Sequence, residues 1–276
     1  MVKFLKSSPI GSISFFIWVI LVLVAVFADY ISPYDPLEAD YGAIRKPPSP
    51  DHILGTDHMG RDVLSRIIYG TRITLIVAIT SVVIGDFIGF IIGLVTPYFG
   101  KNIDTLTQRI IDILMSFPDI ILALMLLTVF GSGLTTVIIV ISVTRIPYSA
   151  RITRSVVLTV KEHTFVEAAK SIGVSNIKII YKHIAPQCIA PILVVFSLHL
   201  GAAIFAESAL SFLGLGIPPP DPSWGNMLGN VLASSFKPPW WLVLFPGLAI
   251  TIAILSANLL GDGLRDFLDP KLKNKI

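Results

Sequence analysis

The chain alternates long apolar runs with short polar ones. Residues 7–28 carry no charge, residues 73–97 carry only Asp86, and residues 120–144 again carry none. Roughly 20 apolar residues cross a bilayer as one helix, so these blocks predict membrane spans. Gly131-Ser132-Gly133 interrupts the third block and predicts a tight turn. The region then divides into a third span over about 103–130 and a fourth over about 134–160. The fourth passes Arg145 and Pro147 and continues as a more polar helix. A fifth span is expected over 189–213, carrying His199 and Glu207, and a sixth over 242–260. Trp240-Trp241 opens the sixth, as an interfacial aromatic pair does. The pattern predicts an all-α polytopic membrane protein with six transmembrane helices.

The first run, preceded by Lys3 and Lys6, reads as a signal peptide or as an anchor. Its apolar core exceeds a usual signal-peptide core, and Val26-Phe27-Ala28 is a weak cleavage triplet, so an uncleaved anchor is expected. Lys and Arg set the orientation. Arg145, Arg151, Arg154, Lys161, Lys170, Lys178 and Lys182 precede residue 187, and Arg265, Lys271, Lys273 and Lys275 lie in the tail. Both groups are expected in the cytoplasm, and six spans then place both termini there. The outer segment 29–72 carries five basic residues against this rule, but long segments translocate largely regardless of charge. The organisation expected is an anchor helix with an extracytoplasmic segment (1–70) and a membrane core (71–276). A cytoplasmic loop at about 161–187 joins spans four and five.

Composition narrows the class. Only 14% of residues are charged and 54% are hydrophobic, against about 25% charged in soluble domains. This excludes a water-soluble enzyme, a disordered chain and a nucleic-acid binder with a basic face. The single cysteine, Cys188, forms no intrachain disulfide. No phosphate-binding Gly-x-x-x-x-Gly-Lys-[Ser/Thr] loop occurs, nor His-Glu-x-x-His, nor Gly-x-Ser-x-Gly. No cofactor or metal is expected on this chain, and any ATP hydrolysis by that chemistry belongs to another one.

The loop at 161–187 reads as helix, turn, helix. Glu167-Ala168-Ala169-Lys170-Ser171-Ile172 are good helix formers, and Gly173 stands where a left-handed cap belongs. Ser175 is placed to cap the second helix. Lys182 and His183 are expected in its last turn, and Pro186 is expected to stop it. Phe165, Ala168, Ala169 and Ile172, then Ile177, Ile180 and Ile184, fall on one side at helical spacing. Such a pair is either a helix resting on the membrane or a docking element for a partner.

Glu-Ala-Ala, three residues, Gly, nine residues, then His183-x-x-Pro186 resembles the EAA loop of binding-protein-dependent ABC importer permeases. Other stretches resemble the dipeptide, oligopeptide and nickel permeases. These are Leu54-Gly55-Thr56-Asp57-His58-Met59-Gly60-Arg61-Asp62, Ser208-Ala209-Leu210-Ser211-Phe212-Leu213-Gly214 with Pro222-Ser223-Trp224-Gly225, and Asn258-Leu259-Leu260-Gly261-Asp262-Gly263. In order they cover almost the whole chain, which is similar to the second, C-type permease subunit. The resemblance implies a prokaryotic cell-membrane subunit that moves peptides, or nickel or a metal chelate. It implies a second homologous permease, two cytoplasmic ATPases that use Mg and ATP, and an extracytoplasmic solute-binding protein. It gives Glu167, Ala168, Ala169, Gly173, Ile177, His183 and Pro186 the role of coupling to the ATPase.

Remaining residues are weighed against that frame. Gly85, Gly89 and Gly93 repeat every four residues and let another backbone approach one helix face. Asp86, Asp112, Asp119, His199 and Glu207 are intramembrane or interfacial groups that face protein or water. They suit structural hydrogen bonding in an ATP-driven importer. In the alternative, a stand-alone ion- or proton-coupled carrier or channel, Asp86, His199 and Glu207 carry the ion. Asp51-His52 and Asp57-His58 match no compact metal-ligand spacing. The amphipathic stretch Arg61 to Ile68 fits the outer interface, and equally a face packed on the binding protein or the second permease.

Overall fold

The structure, a computed structural model, describes residues 9–234 and 236–268. Lys3, Lys6 and the tail lysines of the orientation argument lie outside them. Among the described residues every regular element is helical, and one isolated bridge, Thr56 to Asp62, interrupts the loops.

Helix α1 (Pro9–Val26) is apolar all round, and α2 (Ala28–Ile31) follows it as a single turn. One side of α1 buries small or slotted residues, Gly11, Ser12, Ser14, Trp18 and Ala25, while Ile13, Phe16, Ile20 and Leu23 stay exposed. A helix apolar on both sides belongs in a bilayer. Helix α3 (Val63–Phe99) has 37 residues. At 1.5 Å per residue it is about 55 Å long, well beyond a hydrocarbon core of about 30 Å. Val63 to Ile68, most of the amphipathic stretch Arg61 to Ile68, form its first turns, and Asp62 caps it by accepting from Ser65 N at 2.8 Å.

The third expected span is broken. α4 (Lys101–Met115) and α5 (Asp119–Phe130) meet at 89°. Pro118 has no N–H and disfavours helix at the residue before it, which ends α4. α4 is strongly amphipathic and α5 uniformly apolar, so the two halves meet different surroundings. Gly131 (φ 84°) and Gly133 (φ 148°) form the turn into α6 (Leu134–Val160). Four helices, α1, α3, the fifth-span helix and the last one, are long and apolar enough to cross a membrane, and the bent pair makes five. α6 is less apolar, with Arg145, Arg151 and Arg154 along it.

After a short helical pair, α7 (Thr164–Ser171) and α8 (Asn176–Ile179), a π-turn over Ile180–Ile184 leads into α9 (Ala185–Phe212). Then come α10 (Trp224–Ser234) and α11 (Trp240–Leu268). The fifth-span helix is continuous from Asn176 to Phe212. Pro186 therefore does not stop it. The wider turn takes up the missing donor, with Ala185 N bonding Ile180 O across five residues. Lys182 and His183 lie inside a continuing helix, and no helix end is there for them to stabilise.

The core is built on the crossing of α3 and α6. A Cβ on Gly85, Gly89 or Gly93 would meet Ser142 O, Ile146 O or Ala150 O at 2.5, 2.6 and 2.3 Å. The glycine face is thus filled by the backbone of α6 in the same chain. α9 packs on α3 and α11, and Leu75, Val77, Ala78, Val82, Val137, Ile141, Ile204 and Leu210 close the centre.

Candidate functional site

The α7–α8 hairpin is held by local backbone chemistry. Gly173 has φ 80°, a region sterically open to glycine and costly for other residues. Gly173 N donates to Lys170 O at 3.0 Å and Val174 N to Ala169 O at 3.1 Å. This pair of bonds is the Schellman cap that ends α7. Ser175 occupies the cap position of α8, but its side chain makes no capping bond. Ser171 Oγ donates to Glu167 O at 3.0 Å, Tyr98 OH to Asn176 Oδ1 at 2.9 Å, and the Lys170 ammonium lies over the Tyr98 ring.

The buried face of the hairpin differs from the one expected. Val166, Ala169, Ile179, Ile180, Ile184 and Cys188 pack with Leu94 of α3 and with Val157 and Val160 of α6. Phe165, Ala168, Ile172 and Ile177 face outward instead. Ile172 is 80% exposed, Ile177 77% and Tyr181 78%. Both apolar sets have helical spacing, and the ends of α3 and α6 select the one containing Val166 and Ile179. Glu167, Lys170, Lys178 and Lys182 are exposed beside the outward set, and His183 and Pro186 are half-buried and exposed at its edge. A bilayer interior excludes these charges, so the patch meets water or protein. A contiguous apolar patch with a charged rim marks an interaction surface.

The buried polar groups fall into two separate places. Asp86 Oδ1 lies 2.7 Å from His199 Nδ1 and accepts the Ser149 hydroxyl, joining α3, α9 and α6. Glu207 is fully buried. Ser211 donates to its Oε1 at 2.8 Å and Thr74 to its Oε2 at 3.3 Å. Ser211 Oγ also accepts Ile217 N at 3.1 Å, which fixes the turn after α9. Trp224 Nε1 donates to Ile67 O at 3.2 Å and ties α10 to α3. Asp86 and His199 thus bond each other, while Glu207 has different partners.

Sequence reasoning missed a ladder. Arg154 bonds Asp104 at 2.9 and 2.7 Å, Arg151 bonds Asp112 at 2.7 Å, and Arg145 bonds Asp119. Three arginines read as orientation signals are partners of the bent pair. Their spacing gives no hint of this, because the register depends on the break at Pro118.

The motif around Asp57 closes on itself. Asp57 accepts Met59 N at 2.8 Å, Arg61 N at 3.0 Å and Arg61 Nε at 2.7 Å. Burial would raise the Asp57 carboxyl, but its bonds with Arg61 and the backbone hold it below the ordinary 3.8. His52 Nδ1 lies 3.0 Å from Asp62, and Arg66 donates to Pro36 O at 2.9 Å. Among the described residues no three His, Cys, Asp or Glu side chains gather as metal ligands.

The family model described as binding-protein-dependent transport system inner membrane component matches residues 85–274. A second, the N-terminal TM domain of oligopeptide transport permease C, matches residues 1–48. The glutathione transport system permease protein GsiD of Pectobacterium atrosepticum is 40% identical over 273 residues, covering 99% of this chain and 90% of that one. Its namesake in Escherichia coli O1:K1 is 43% identical over 256 residues, covering 92% and 84%. A chain from an inward-facing structure of the MetNI methionine ABC transporter superposes with TM-score 0.56 at 16% identity, covering 75% of this chain and 96% of that one. This last likeness concerns the fold alone.

Proposed function

We propose a function that starts from the family: the chain belongs to the binding-protein-dependent transport system inner membrane components. It is a multi-pass inner-membrane permease subunit of an ABC importer, and family membership brings ATPase and solute-binding partners in general. On the finer points we infer that the α7–α8 hairpin is the dock for a separate ATPase, which uses Mg and ATP. The observation that carries this is the exposed patch of Ile172, Ile177 and Tyr181 on a hairpin rigidly capped at Gly173. An amphipathic helix presented to a groove is a common recognition mode. Glu167 adds a charge at the rim.

The assembly we propose has this chain, a second permease, two ATPases and an extracytoplasmic binding protein. With six spans, counting α6 and the bent pair, and the basic residues of α6 and the hairpin inside, we infer that both termini and the hairpin are cytoplasmic. The solute is a peptide: the relatives carry glutathione transport in their names and the N-terminal match carries oligopeptide transport. A nickel or chelate cargo has no such support. The carrier alternative, built on Asp86, His199 and Glu207, is disfavoured by the family and by relatives named as transport system permeases.

The test is reconstitution of the complex with Ile172→Asp and Ile177→Asp. Both should insert and join the second permease. They should lose the ATPase on purification, and they should lose ATP hydrolysis stimulated by the loaded binding protein. Full stimulation in both variants would remove the docking assignment.

A further inference from the structure

We propose that the Arg145–Asp119 pair and the cavity beside it bind a zwitterionic solute in transit. The inference rests on the peptide reading above and gives that solute a contact inside this chain.

Arg145 lies near the middle of the 27-residue α6. Its side chain is 6% exposed, and that of Asp119, in the first turn of α5, is 33% exposed. Tyr148 OH donates to Asp119 Oδ1 at 3.1 Å, and the guanidinium lies 5.6 Å over the Tyr148 ring. Charges at this depth are costly and do not face lipid. Replacing a buried ion pair by apolar groups is often neutral or stabilising, so packing alone gives no reason for two charges here. Arg151 and Asp112 are half exposed, the setting in which such pairs contribute little.

The pair lines a cavity of about 290 Å³ with Pro118, Ala202, Phe205 and Ala206. Its size is at the small end of ligand sites. The charges at its rim disfavour lipid there. Water, solute and the second permease remain to meet it.

The site carries one positive and one negative charge side by side. A singly charged solute meets one attraction and one repulsion there. A zwitterion laid in the opposite sense sets its ammonium by Asp119 and its carboxylate by Arg145, closing an alternating ring of four charges. Ala202, Ala206 and Phe205 leave apolar room for its side chains. A peptide with both ends free has this chemistry.

The experiment uses the whole complex in proteoliposomes with preloaded binding protein. It reads solute moved per ATP hydrolysed for a free tripeptide, its N-acetyl form and its C-amide. The wild-type complex should move the free peptide about tenfold better than either blocked form, the scale of a hydrogen bond to a charged group. In Asp119→Asn the N-acetyl penalty should shrink to within about twofold while the amide penalty stays. In Arg145→Gln the reverse should hold. If Arg145→Gln does not assemble, Asp119→Asn carries the test, since its amide oxygen still accepts from Tyr148. The assignment falls alone if the wild type moves peptides without discrimination, or if the variants lower all three solutes alike. A wild-type complex that moves no peptide overturns the peptide reading and this site with it.

Discussion

The two ends of α3 are finished in opposite ways. At its N-terminus the chain buries charges and satisfies them internally, with Asp57 on Arg61, Asp62 on Ser65 and His52, and Arg66 on Pro36. At its C-terminus Leu94 and Tyr98 support a hairpin whose Ile172, Ile177 and Tyr181 side chains stand exposed. The first end is a closed polar lock that holds the helix start and the Trp224 and Trp241 contacts in place. The second is an open apolar surface, the one the proposed docking gives to a partner. Their difference separates structural polarity from functional exposure. The signature-rich N-terminal end pairs its charges within the chain, and the plainer hairpin leaves Ile172, Ile177 and Tyr181 exposed.

If the lock is structural, breaking it should cost the most. Asp57→Asn leaves the Arg61 guanidinium buried without its carboxylate, a loss of about 3–5 kcal/mol. Limited proteolysis of the intact complex should then cut between residues 29 and 62, with the hairpin still protected. The same bond sets a pH dependence. Because the folded Asp57 value lies below 3.8, its contribution is full above that value. It is lost as pH falls through the lower folded value. Cleavage in this segment should therefore rise only in acid, and Asp57→Asn should abolish that rise. An unchanged acid profile in the variant would place the lock elsewhere.

At the hairpin a smaller change in stability should have a larger change in function. Gly173→Val forces a β-branched residue to φ 80°, at about 1–2 kcal/mol. No atom lies within 4 Å of the Cβ position, so the cost is backbone strain without a clash. The complex should assemble with near-normal yield, while transport and ligand-stimulated ATP hydrolysis fall together. Loss of transport with stimulation intact would show that the cap serves the pathway and not the dock.

How much of this is legible in the sequence follows from how local each feature is. The left-handed residue at 173 is readable from its immediate neighbours, because a Schellman cap is a short-range rule. The glycine repeat at 85, 89 and 93 is readable as a close approach, but not its partner α6, which depends on the fold. Pro186 misleads because a π-turn supplies a register shift that proline rules do not anticipate. The choice between Val166 and Phe165 as the buried face belongs to the ends of α3 and α6, outside the hairpin. The Arg145–Asp119 pairing depends on a 89° break and an antiparallel register, and neither is written in the spacing.

The smallest predicted effect sharpens the contrast at the level of single caps. Asp62 and Ser175 both hold the residue position before a helix, and both have extended backbone there, with ψ 123° and 145°. By residue type alone each should be worth about 1 kcal/mol. The geometry separates them. Asp62 accepts both the Ser65 amide and its hydroxyl at 2.8 Å, whereas the Ser175 side chain accepts nothing from α8. Asp62→Ala should then destabilise the complex by at least about 1 kcal/mol, since it also strips His52 of its partner. Ser175→Ala should change thermal stability and transport within error, under about 0.5 kcal/mol. A helix as short as α8, Asn176–Ile179, gains its position from Ile179 and the π-turn behind it and not from its cap. Thermal unfolding of both variants in the same assembled complex decides the matter. Equal losses would mean that Ser175 does cap α8 and that the hairpin is held more tightly than its exposed face suggests.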